Sequence, residues 1–427
     1  MTLFWVVVGL LALILADVPI AVALGCASVA AMVLETGVRD LPNVPLTLFD
    51  GSVKFSLIAV PLFILAGAVM NACGISRRLI ALTSALIGFV RGGLAMVTIG
   101  TSLFFAEISG SAVADVAALG SVLIPSMKKA GYSKEFAAAV SSSASTLAII
   151  IPPSIPMILY AVMAGASVVE MFVAGIIPGL LGGLLLMVVA YRMAIRRGFP
   201  ADAAFAWARV RRTFRDAVWA LLLPVIILGG IFSGWVTATE GAGLAVVAAT
   251  VIGAGVYREL DWKALRRAIV EGGIQTAVVM LLVSTSALLG EYLTSAQVPQ
   301  RFAAQLLAFT DSQWAVLLLL NFFFLTIGLF LHSAAAIILV VPIVMPLVQQ
   351  AGIDPVHFGL VLALNLGIGQ QTPPVASVLL TACSIAKAQV WDVSRVNVAF
   401  VGVLLVVLLL VTYVPAIPMV LVGFFFR

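Results

Sequence analysis

Charged residues are scarce in this chain. Only 10% of its 427 residues are Asp, Glu, Lys or Arg, 63% are hydrophobic, and the mean hydropathy is +1.22. A soluble fold of this length does not need so much apolar surface, so a soluble protein is excluded. The short alternating segments of a membrane β-barrel are also missing. The net charge of +5 comes from Lys and Arg in short loops, which indicates membrane orientation and not a nucleic-acid partner.

The residues that form disulfides, hold metals or bind nucleotides are few. Cys26, Cys73 and Cys383 are scattered singly, which indicates neither a disulfide framework nor a metal site. His332 and His357 do not form a His-Glu-x-x-His motif, which disfavours an intramembrane metalloprotease. The absence of Gly-x-x-x-x-Gly-Lys-Ser/Thr excludes ATP use through a P-loop. Energy must therefore come from an ion gradient or a partner, and no cofactor is expected beyond a coupling ion.

Long apolar runs separated by polar breaks predict an all-α polytopic membrane protein. The first run starts almost at Met1 without a basic n-region, so it is interpreted as a retained helix and not as a cleaved signal. The most basic segment, 192–216, divides the chain in two and is predicted to be a cytoplasmic connector.

Two stretches that lie 221 positions apart resemble each other. Five residues of the first recur in the second: Pro125, Ala130, Gly131, Pro152 and Pro153 correspond to Pro346, Ala351, Gly352, Pro373 and Pro374. The two proline pairs are the only Pro-Pro pairs in the sequence, and both lie in apolar surroundings. A duplicated helix-breaking segment at membrane depth is typical of transporters built from two repeats. Residues 1–191 and 217–427 are predicted to be these repeats.

Each repeat is predicted to contain a helical hairpin, at about 92–127 and about 312–349. The arms of the first are about 25 Å long, which is shorter than a hydrocarbon core of about 30 Å. This favours a re-entrant hairpin, with two full crossings as the alternative. Lys and Arg surround the first hairpin, whereas Arg301 alone accompanies the second. The positive-inside rule then places the hairpins on opposite sides, which makes the repeat inverted.

A broken helix is predicted after each hairpin, over 135–164 and 355–386. Proline removes a backbone donor, so a proline pair frees carbonyl oxygens that must line a cavity or bind something. Together with nearby hydroxyls these oxygens form a ligand set suited to Na⁺. Membrane-helix serines often only bond to the preceding turn, and for Ser141 and Ser142 both interpretations stay open. The half-helix N-termini after the breaks favour an anion.

The order of these motifs is similar to one known family. A Ser-rich broken helix with Ile-Ile-Pro-Pro-Ser, a central basic loop, Thr-Ala-Thr-Glu and Gln-Gln-Thr-Pro-Pro together resemble the large membrane subunit of TRAP (tripartite ATP-independent periplasmic) transporters. The resemblance implies an elevator-type carrier, with a scaffold and a transport domain, that imports an organic anion, usually a carboxylate, by means of a Na⁺ gradient. It also implies a bacterial inner-membrane location, a small membrane subunit and a periplasmic substrate-binding protein. The chain length predicts that the small subunit is separate.

By position, the resemblance implies two Na⁺ sites and a substrate site between the hairpin tips. The first Na⁺ site would use Ser109, Gly110, Ser111, Ser143, Ser145, Thr146 and Pro152. The second would use His332, Ser333, Asn365, Gly367, Gly369, Thr372 and Pro373, where either side chains or backbone carbonyls serve at the His332 tip. The substrate would contact Ser111, Ser154, Gln370 and Gln371.

Two other functions remain open at this stage. One is a stand-alone Na⁺- or H⁺-coupled anion carrier of the same superfamily. The other is a membrane-embedded enzyme, with Glu107 or Asp115 as its acid or base, because carboxylates within membrane segments are functional by default.

Overall fold

The computed structural model describes residues 2–16, 18–201, 204–308, 310 and 312–426. These residues are almost entirely helical, and their only extended pairing is an isolated bridge between Arg91 and Ala201. Seven helical segments within these ranges are long and apolar enough to cross a membrane: Phe55–Ala72, Val168–Arg196, Trp207–Phe232, Ala238–Val256, Trp262–Ser295, Ser333–Gln350 and Val390–Tyr413. The prediction of an all-α polytopic membrane protein is confirmed.

Among the residues that the structure describes, eleven α-helices precede the central loop. They are α1 (Thr2–Leu15), α2 (Ile20–Thr36), α3 (Asn43–Ser52), α4 (Ala59–Ala72), α5 (Ile75–Ile87), α6 (Gly93–Ser109), α7 (Ala112–Asp115), α8 (Ser121–Lys129), α9 (Lys134–Thr146), α10 (Ile155–Ala164) and α11 (Val168–Arg196). Short 3₁₀ turns cover Gly37–Asp40, Phe55–Ile58 and Leu147–Ile149, and a π-helical turn, Val116–Gly120, joins α7 to α8.

Ten α-helices follow the central loop within the described residues. They are α12 (Trp207–Phe232), α13 (Ala238–Val251), α14 (Trp262–Ser295), α15 (Val298–Leu307), α16 (Gln313–Gly328), α17 (Ser333–Gln350), α18 (Pro355–Gly369), α19 (Ser377–Ala386), α20 (Val390–Tyr413) and α21 (Ala416–Phe426). A π-helical turn, Ile252–Val256, extends α13.

A helix with a similar N-terminal cap precedes each proline pair, α9 before the first pair and α18 before the second. The Oγ of Ser133 caps α9 by accepting a hydrogen bond from the Phe136 nitrogen at 3.3 Å. At the matching position, Asp354 Oδ1 caps α18 by accepting from the Val356 nitrogen at 2.8 Å. Both side chains satisfy backbone donors that a helix N-terminus leaves unpaired. The peptide bond within each proline pair is cis.

Two helical hairpins pack against these broken helices. In the first, α6 turns at Gly110, and the second arm consists of α7, the π-helical turn and α8. In the second, α16 is followed by a short turn, and α17 begins at Ser333. The first arm of each hairpin packs on the first half of the broken helix in its own half of the chain, α6 on α9 and α16 on α18.

The second arms cross to the other half of the chain. The second arm of the first hairpin packs on α19, and α17 packs on α10. A hydrogen bond from Lys128 Nζ to the Ala386 carbonyl at 2.9 Å holds the first of these contacts. The Tyr160 hydroxyl of α10 also links the halves, because it donates to the Pro355 carbonyl of α18 at 2.6 Å. The two halves therefore form one interlocked core.

Much of the central basic segment is helical. Residues 192–196 continue α11 and residues 207–216 begin α12, and the described residues between them, 197–201 and 204–206, are not helical. Phe199 packs between the rings of Tyr132 and Phe136, at centroid distances of 4.5 and 5.0 Å. The Pro200 carbonyl accepts a hydrogen bond from the Gly92 nitrogen at 3.1 Å. These contacts fix the connector at the base of the first hairpin.

An ion pair fastens α5 to the loop between α13 and α14. Arg78 donates to Glu259 at 2.7 Å and lies over the Tyr257 ring, with its guanidinium carbon 3.7 Å from the ring centroid. Arg77 contacts the same carboxylate at 2.9 Å. The hydrogen bond from Arg78 is the main cause that holds the pKa of Glu259 below its ordinary value of 4.5.

We expect Glu259→Gln to lower the thermal stability of the purified protein in a pH-dependent way. Because the folded-state pKa is lowered, the carboxylate stabilises the fold above pH 4.5, and this contribution is lost as the pH falls toward the lowered pKa. The difference in melting temperature between wild type and variant should be present at pH 7 and should disappear as the pH falls below 4.5. Glu271→Gln, on an exposed face of α14, is the control and should show no such convergence.

Candidate functional site

The first break retains only part of the backbone pairing of a helix. The nitrogens of Ile150 and Ile151 both bond to the Leu147 carbonyl, at 3.0 and 2.9 Å. The Ser154 hydroxyl donates to the Ile149 carbonyl at 2.6 Å, and Ser154 is fully buried. Ser154, predicted to bind substrate, therefore satisfies one of the carbonyls that the proline pair frees.

The tip of the first hairpin lies directly against this break. Gly110 has φ +56°, and a Cβ at this position would lie 3.1 Å from the Ile155 nitrogen and 3.3 Å from the Pro153 carbonyl oxygen. A larger residue would therefore be both strained and crowded. Ser111, half-buried, follows in extended conformation. Gly110, Ser111 and the Pro152 break are thus adjacent, as the prediction of a first site requires.

The hydroxyls predicted for the first site lie on α9, just before the break. Ser143, Ser145 and Thr146 are all buried. Ser143 Oγ donates to Asn397 Oδ1 at 2.8 Å, and Thr146 Oγ1 donates to the Ser142 carbonyl at 3.1 Å. Each oxygen keeps a lone pair for a further contact. The Ser109 side chain, and that of Glu107, lie outside the described residues.

The second hairpin meets the second break through two glycines. A Cβ on Gly369, at the end of α18, would lie 2.5 Å from the Gly328 Cα, and a Cβ on Gly328 would lie 3.1 Å from the Gly369 Cα. Such distances leave no room for a side chain. The backbone of α16 therefore touches the backbone of α18 where the helix breaks, and Asn365 is one turn away.

Asn365 belongs to a buried chain of amides and a hydroxyl. Its Nδ2 donates to Asn321 Oδ1 at 2.6 Å and to the Val361 carbonyl at 2.8 Å. Asn321 Nδ2 in turn donates to Thr412 Oγ1 at 3.2 Å. No described residue donates a hydrogen bond to Asn365 Oδ1, although this oxygen is fully buried. A buried acceptor without a partner costs about 1–3 kcal/mol, so this oxygen is available to a ligand.

The remaining residues predicted for the second site are arranged less closely. Thr372 Oγ1 donates to the Ile368 carbonyl at 3.1 Å, and Pro373 is half-buried. His332 is exposed at the tip, where its Nδ1 accepts from the Ala334 nitrogen at 3.4 Å and caps α17. Ser333 is buried in the first turn of that helix. His332 therefore acts as a helix cap in this structure.

A hydrogen-bond network joins the two breaks. Gln371 Oε1 accepts from Ser142 Oγ at 2.8 Å, and Gln371 Nε2 donates to the Ser142 carbonyl at 2.5 Å and to Thr146 Oγ1. Asn397 of α20 donates to the Gln371 Oε1 at 3.3 Å. Both hydrogens of the Gln371 amide are thus used, and binding of substrate by this side chain would require these bonds to open.

Gln370 and Gly367 complete the contact region. Gln370 is buried, donates to the Leu366 carbonyl at 3.4 Å and accepts from Ser377 Oγ at 3.4 Å, so its bonds are long. A Cβ on Gly367 would lie 2.9 Å from Thr146 Cγ2. Gly367 therefore permits the close approach of the two broken helices.

Sequence reasoning missed three polar residues of these networks: Asn321, Asn397 and Thr412. All are buried within apolar helices. An amide in an otherwise apolar membrane helix is itself a sign of an internal polar contact, so both asparagines could have been found. Thr412 offers no such sign, because threonine commonly bonds to its own helix. The described residues contain no group of three or more His, Cys, Asp or Glu that could hold a metal, and the candidate ligands are neutral oxygens.

The fold and these contacts define a helical membrane transporter in which two hairpins meet two broken helices. The crystal structure of the Alcanivorax borkumensis YdaH transporter has the same fold, with a TM-score of 0.61 over 91% of this chain and 90% of that one, at 16% identity.

Residues 7–417 match the model of the tripartite ATP-independent periplasmic transporter, DctM component, and the chain belongs to this family. The isethionate TRAP transporter permease protein DctMQ of Oleidesulfovibrio alaskensis is 42% identical over 95% of the chain, which spans 64% of that relative's length. The C4-dicarboxylate TRAP transporter large permease protein DctM of Pseudomonas aeruginosa is 38% identical over 89% of each protein. The sialic acid TRAP transporter permease protein SiaT of Haemophilus influenzae is 37% identical over 85% of the chain and 59% of that relative.

Membership of this family confirms the resemblance that the motifs indicated. The chain is a multi-pass permease component of the inner membrane and not an enzyme, because its relatives are transporter permeases. The family therefore excludes the hypothesis of an enzyme with Asp115 as its acid or base, and Asp115 is fully buried on α7 of the first hairpin.

We expect Gly369→Ala to destabilise the protein and to lower transport. The added methyl group would overlap the Gly328 backbone, and overpacking of this kind costs about 1–3 kcal/mol. Gly402→Ala on α20 is the matched control, because a Cβ there meets nothing within 4 Å and the change favours a helix by about 0.5–1 kcal/mol. Thermal unfolding should shift in opposite directions for the two variants. Equal shifts would show that the glycine contact is not needed.

Proposed function

We propose that the chain is the large membrane subunit of a Na⁺-driven importer of an organic anion. The observation that carries the proposal is that each hairpin lies against a proline break, where backbone of the break and buried hydroxyl or amide oxygens lie close together. Neutral oxygens are the ligands that Na⁺ accepts, and the buried breaks keep them from lipid.

The first Na⁺ site is proposed at the Pro152 break. It comprises the tip residues Ser109, Gly110 and Ser111, together with the lone pairs of Ser143, Ser145 and Thr146. The contact of Gly110 with the Pro153 carbonyl supports this assignment, because it brings the tip within reach of the freed backbone oxygens.

The second Na⁺ site is proposed at the Pro373 break. Asn365 Oδ1 supports it most directly, because this buried oxygen has no hydrogen-bond donor among the described residues. Gly367 and Gly369 let the surrounding backbones approach closely, and Thr372 contributes its hydroxyl. The tip residues His332 and Ser333 contribute backbone carbonyls, since the His332 ring already caps α17.

The substrate is proposed to be a carboxylate or a similar organic acid. The relatives are named for isethionate, C4-dicarboxylate and sialic acid, all of which are organic acids. The α10 and α19 helices begin just after the breaks, and their N-termini favour a negative charge. Ser111, Ser154, Gln370 and Gln371 are the proposed contacts. A substrate that replaced the hydrogen bonds of Gln371 to Ser142 would change the contacts of α9 and of the second break together.

Alternating access is proposed to follow an elevator mechanism in an inverted repeat. Two observations support the inversion. Lys and Arg surround the first hairpin and are scarce around the second. The packing is also reciprocal, because the second arm of each hairpin contacts the broken helix of the other half of the chain. The central loop, 197–206, is then cytoplasmic, and the hairpins with their broken helices form the transport domain.

A small membrane subunit and a periplasmic substrate-binding protein are the proposed partners, in keeping with the tripartite family. The stand-alone carrier is the competing function. Proteoliposomes that hold this chain alone should show no uptake, and uptake should appear when both partners are added. Uptake by the chain alone would favour the stand-alone carrier.

We expect Asn365→Ala to raise the Na⁺ concentration for half-maximal uptake by about tenfold, because it removes one contact between a neutral amide oxygen and the ion, worth about 1.5 kcal/mol. Ser145→Ala, at the proposed first site, should also raise the Na⁺ concentration for half-maximal uptake. The measurement is substrate uptake by the reconstituted system as Na⁺ is varied at constant ionic strength.

Two variants serve as controls. Ser394→Ala makes the same chemical change where the hydroxyl bonds only to the Val390 carbonyl of its own helix, and it should leave the Na⁺ titration unchanged. Asn321→Ala removes the neighbour of Asn365 but leaves Asn365 Oδ1 in place, so its effect should be smaller. Unchanged titrations for both Asn365→Ala and Ser145→Ala would contradict the site assignment.

A further inference from the structure

A cleft unrelated to the two breaks lies between α5, α12 and the end of the α13 π-helical turn. Its volume is about 580 Å³. The charged and aromatic residues that line it are Arg77, Arg78, Arg215, Asp216, Trp219 and Tyr257. Three guanidinium groups lie beside two carboxylates, that of the lining residue Asp216 and that of Glu259, which binds Arg77 and Arg78, so an excess of one positive charge remains.

The floor of the cleft is rigid. The Tyr257 hydroxyl inserts into the backbone of α12, where it accepts from the Ala220 nitrogen at 3.0 Å and donates to the Asp216 carbonyl at 3.1 Å. Arg78 is fixed above that ring and also donates to the carbonyls of Cys73 and Gly74, both at 3.1 Å. Its charge is therefore held in place before any ligand arrives.

The other two arginines have free donors. The Arg77 side chain is 73% exposed, and only its Nη2 is bonded to Glu259. Arg215 is exposed on α12 and also lines an adjacent cavity of about 480 Å³ with Trp207, Arg211 and Arg212. A planar guanidinium donates in pairs to phosphate oxygens, so these groups match a phosphate ester.

One side of the cleft is apolar. Trp219 and Val256 are 45% and 42% exposed, and both lie on helical segments that are apolar enough to cross a membrane. Trp219 lies where the basic first part of α12 gives way to its apolar second part, and a tryptophan at such a boundary marks the membrane interface. The cleft therefore offers cations to a headgroup and apolar surface to the chain attached to it.

We propose that this cleft binds the phosphate of an anionic phospholipid. A free phosphate ion would use the arginines but not Trp219 and Val256, whereas a neutral zwitterionic lipid would gain little from the excess positive charge. Basic clefts at the ends of membrane helices recognise anionic headgroups in this way. The bound lipid would hold α5 against α12 at the end of the molecule where the basic connector lies.

The test is lipid retention by the purified full chain in neutral detergent, measured by native mass spectrometry. Phosphatidylglycerol and phosphatidylcholine are added separately at equal concentration. We expect phosphatidylglycerol to be retained preferentially, and the variant Arg77→Gln/Arg215→Gln to weaken its retention about thirtyfold, since each basic residue removed weakens binding of an anionic headgroup about fivefold. Thermal unfolding of the same samples shows that the variant is folded.

The matched control is Arg266→Gln/Arg267→Gln, which removes the same charge from an exposed face of α14. It should leave retention of phosphatidylglycerol within about twofold of wild type. An equal loss in this control would show nonspecific attraction and overturn the proposal. Equal retention of the two lipids would also overturn it, as would displacement of phosphatidylglycerol by millimolar inorganic phosphate, which would make the cleft a site for the free ion.

Discussion

The backbone oxygens that the two proline pairs release determine much of this structure. At membrane depth such groups have to be satisfied inside the protein, because lipid offers them nothing. The fold meets this need with hydrogen bonds at each break. The Ser154 hydroxyl donates to the Ile149 carbonyl at 2.6 Å, and the nitrogens of Thr372 and Val378 donate to the carbonyls of Gly369 and Gln370 at 2.9 and 3.3 Å. Glycines let the backbones around the breaks approach closely, since a side chain at Gly175 of α11 would overlap the Ile150 carbonyl.

The same constraint brings the two halves of the chain together. The second arm of each hairpin covers the broken helix of the other half, and Gln371 bonds across the interface to Ser142 and Thr146. A change at one break is therefore felt at the other through a short chain of hydrogen bonds. Buried polar networks of this kind are sensitive to the loss of any member, because the remaining groups stay buried without partners. The proposed coupling of Na⁺ to a substrate would act through this network.

Much of the framework followed from the sequence, because proline, glycine and charge act locally. The two proline pairs indicated where the helices break, and the basic residues that flank 92–127 indicated the first hairpin, whose turn the structure shows at Gly110 with a positive φ. The family followed from the same motifs. The partners of each polar side chain were not predictable, since they depend on which helices meet. Asn397 lies 254 positions from Ser143, and no local pattern joins them. The sequence offered His332 as a candidate ligand of the second site, and in the structure its ring caps α17.

The central claim is that the two breaks bind Na⁺, and equilibrium binding to the purified chain tests it without partners or substrate. Thermal unfolding should be compared in NaCl and KCl at equal ionic strength, because a ligand that binds only the folded state raises its stability. The account predicts a higher melting temperature in NaCl, with the difference reduced in Asn365→Ala and in Ser145→Ala and further reduced when both changes are combined. Equal melting temperatures of the wild type in the two salts, across the range of Na⁺ concentrations that supports uptake, would contradict it.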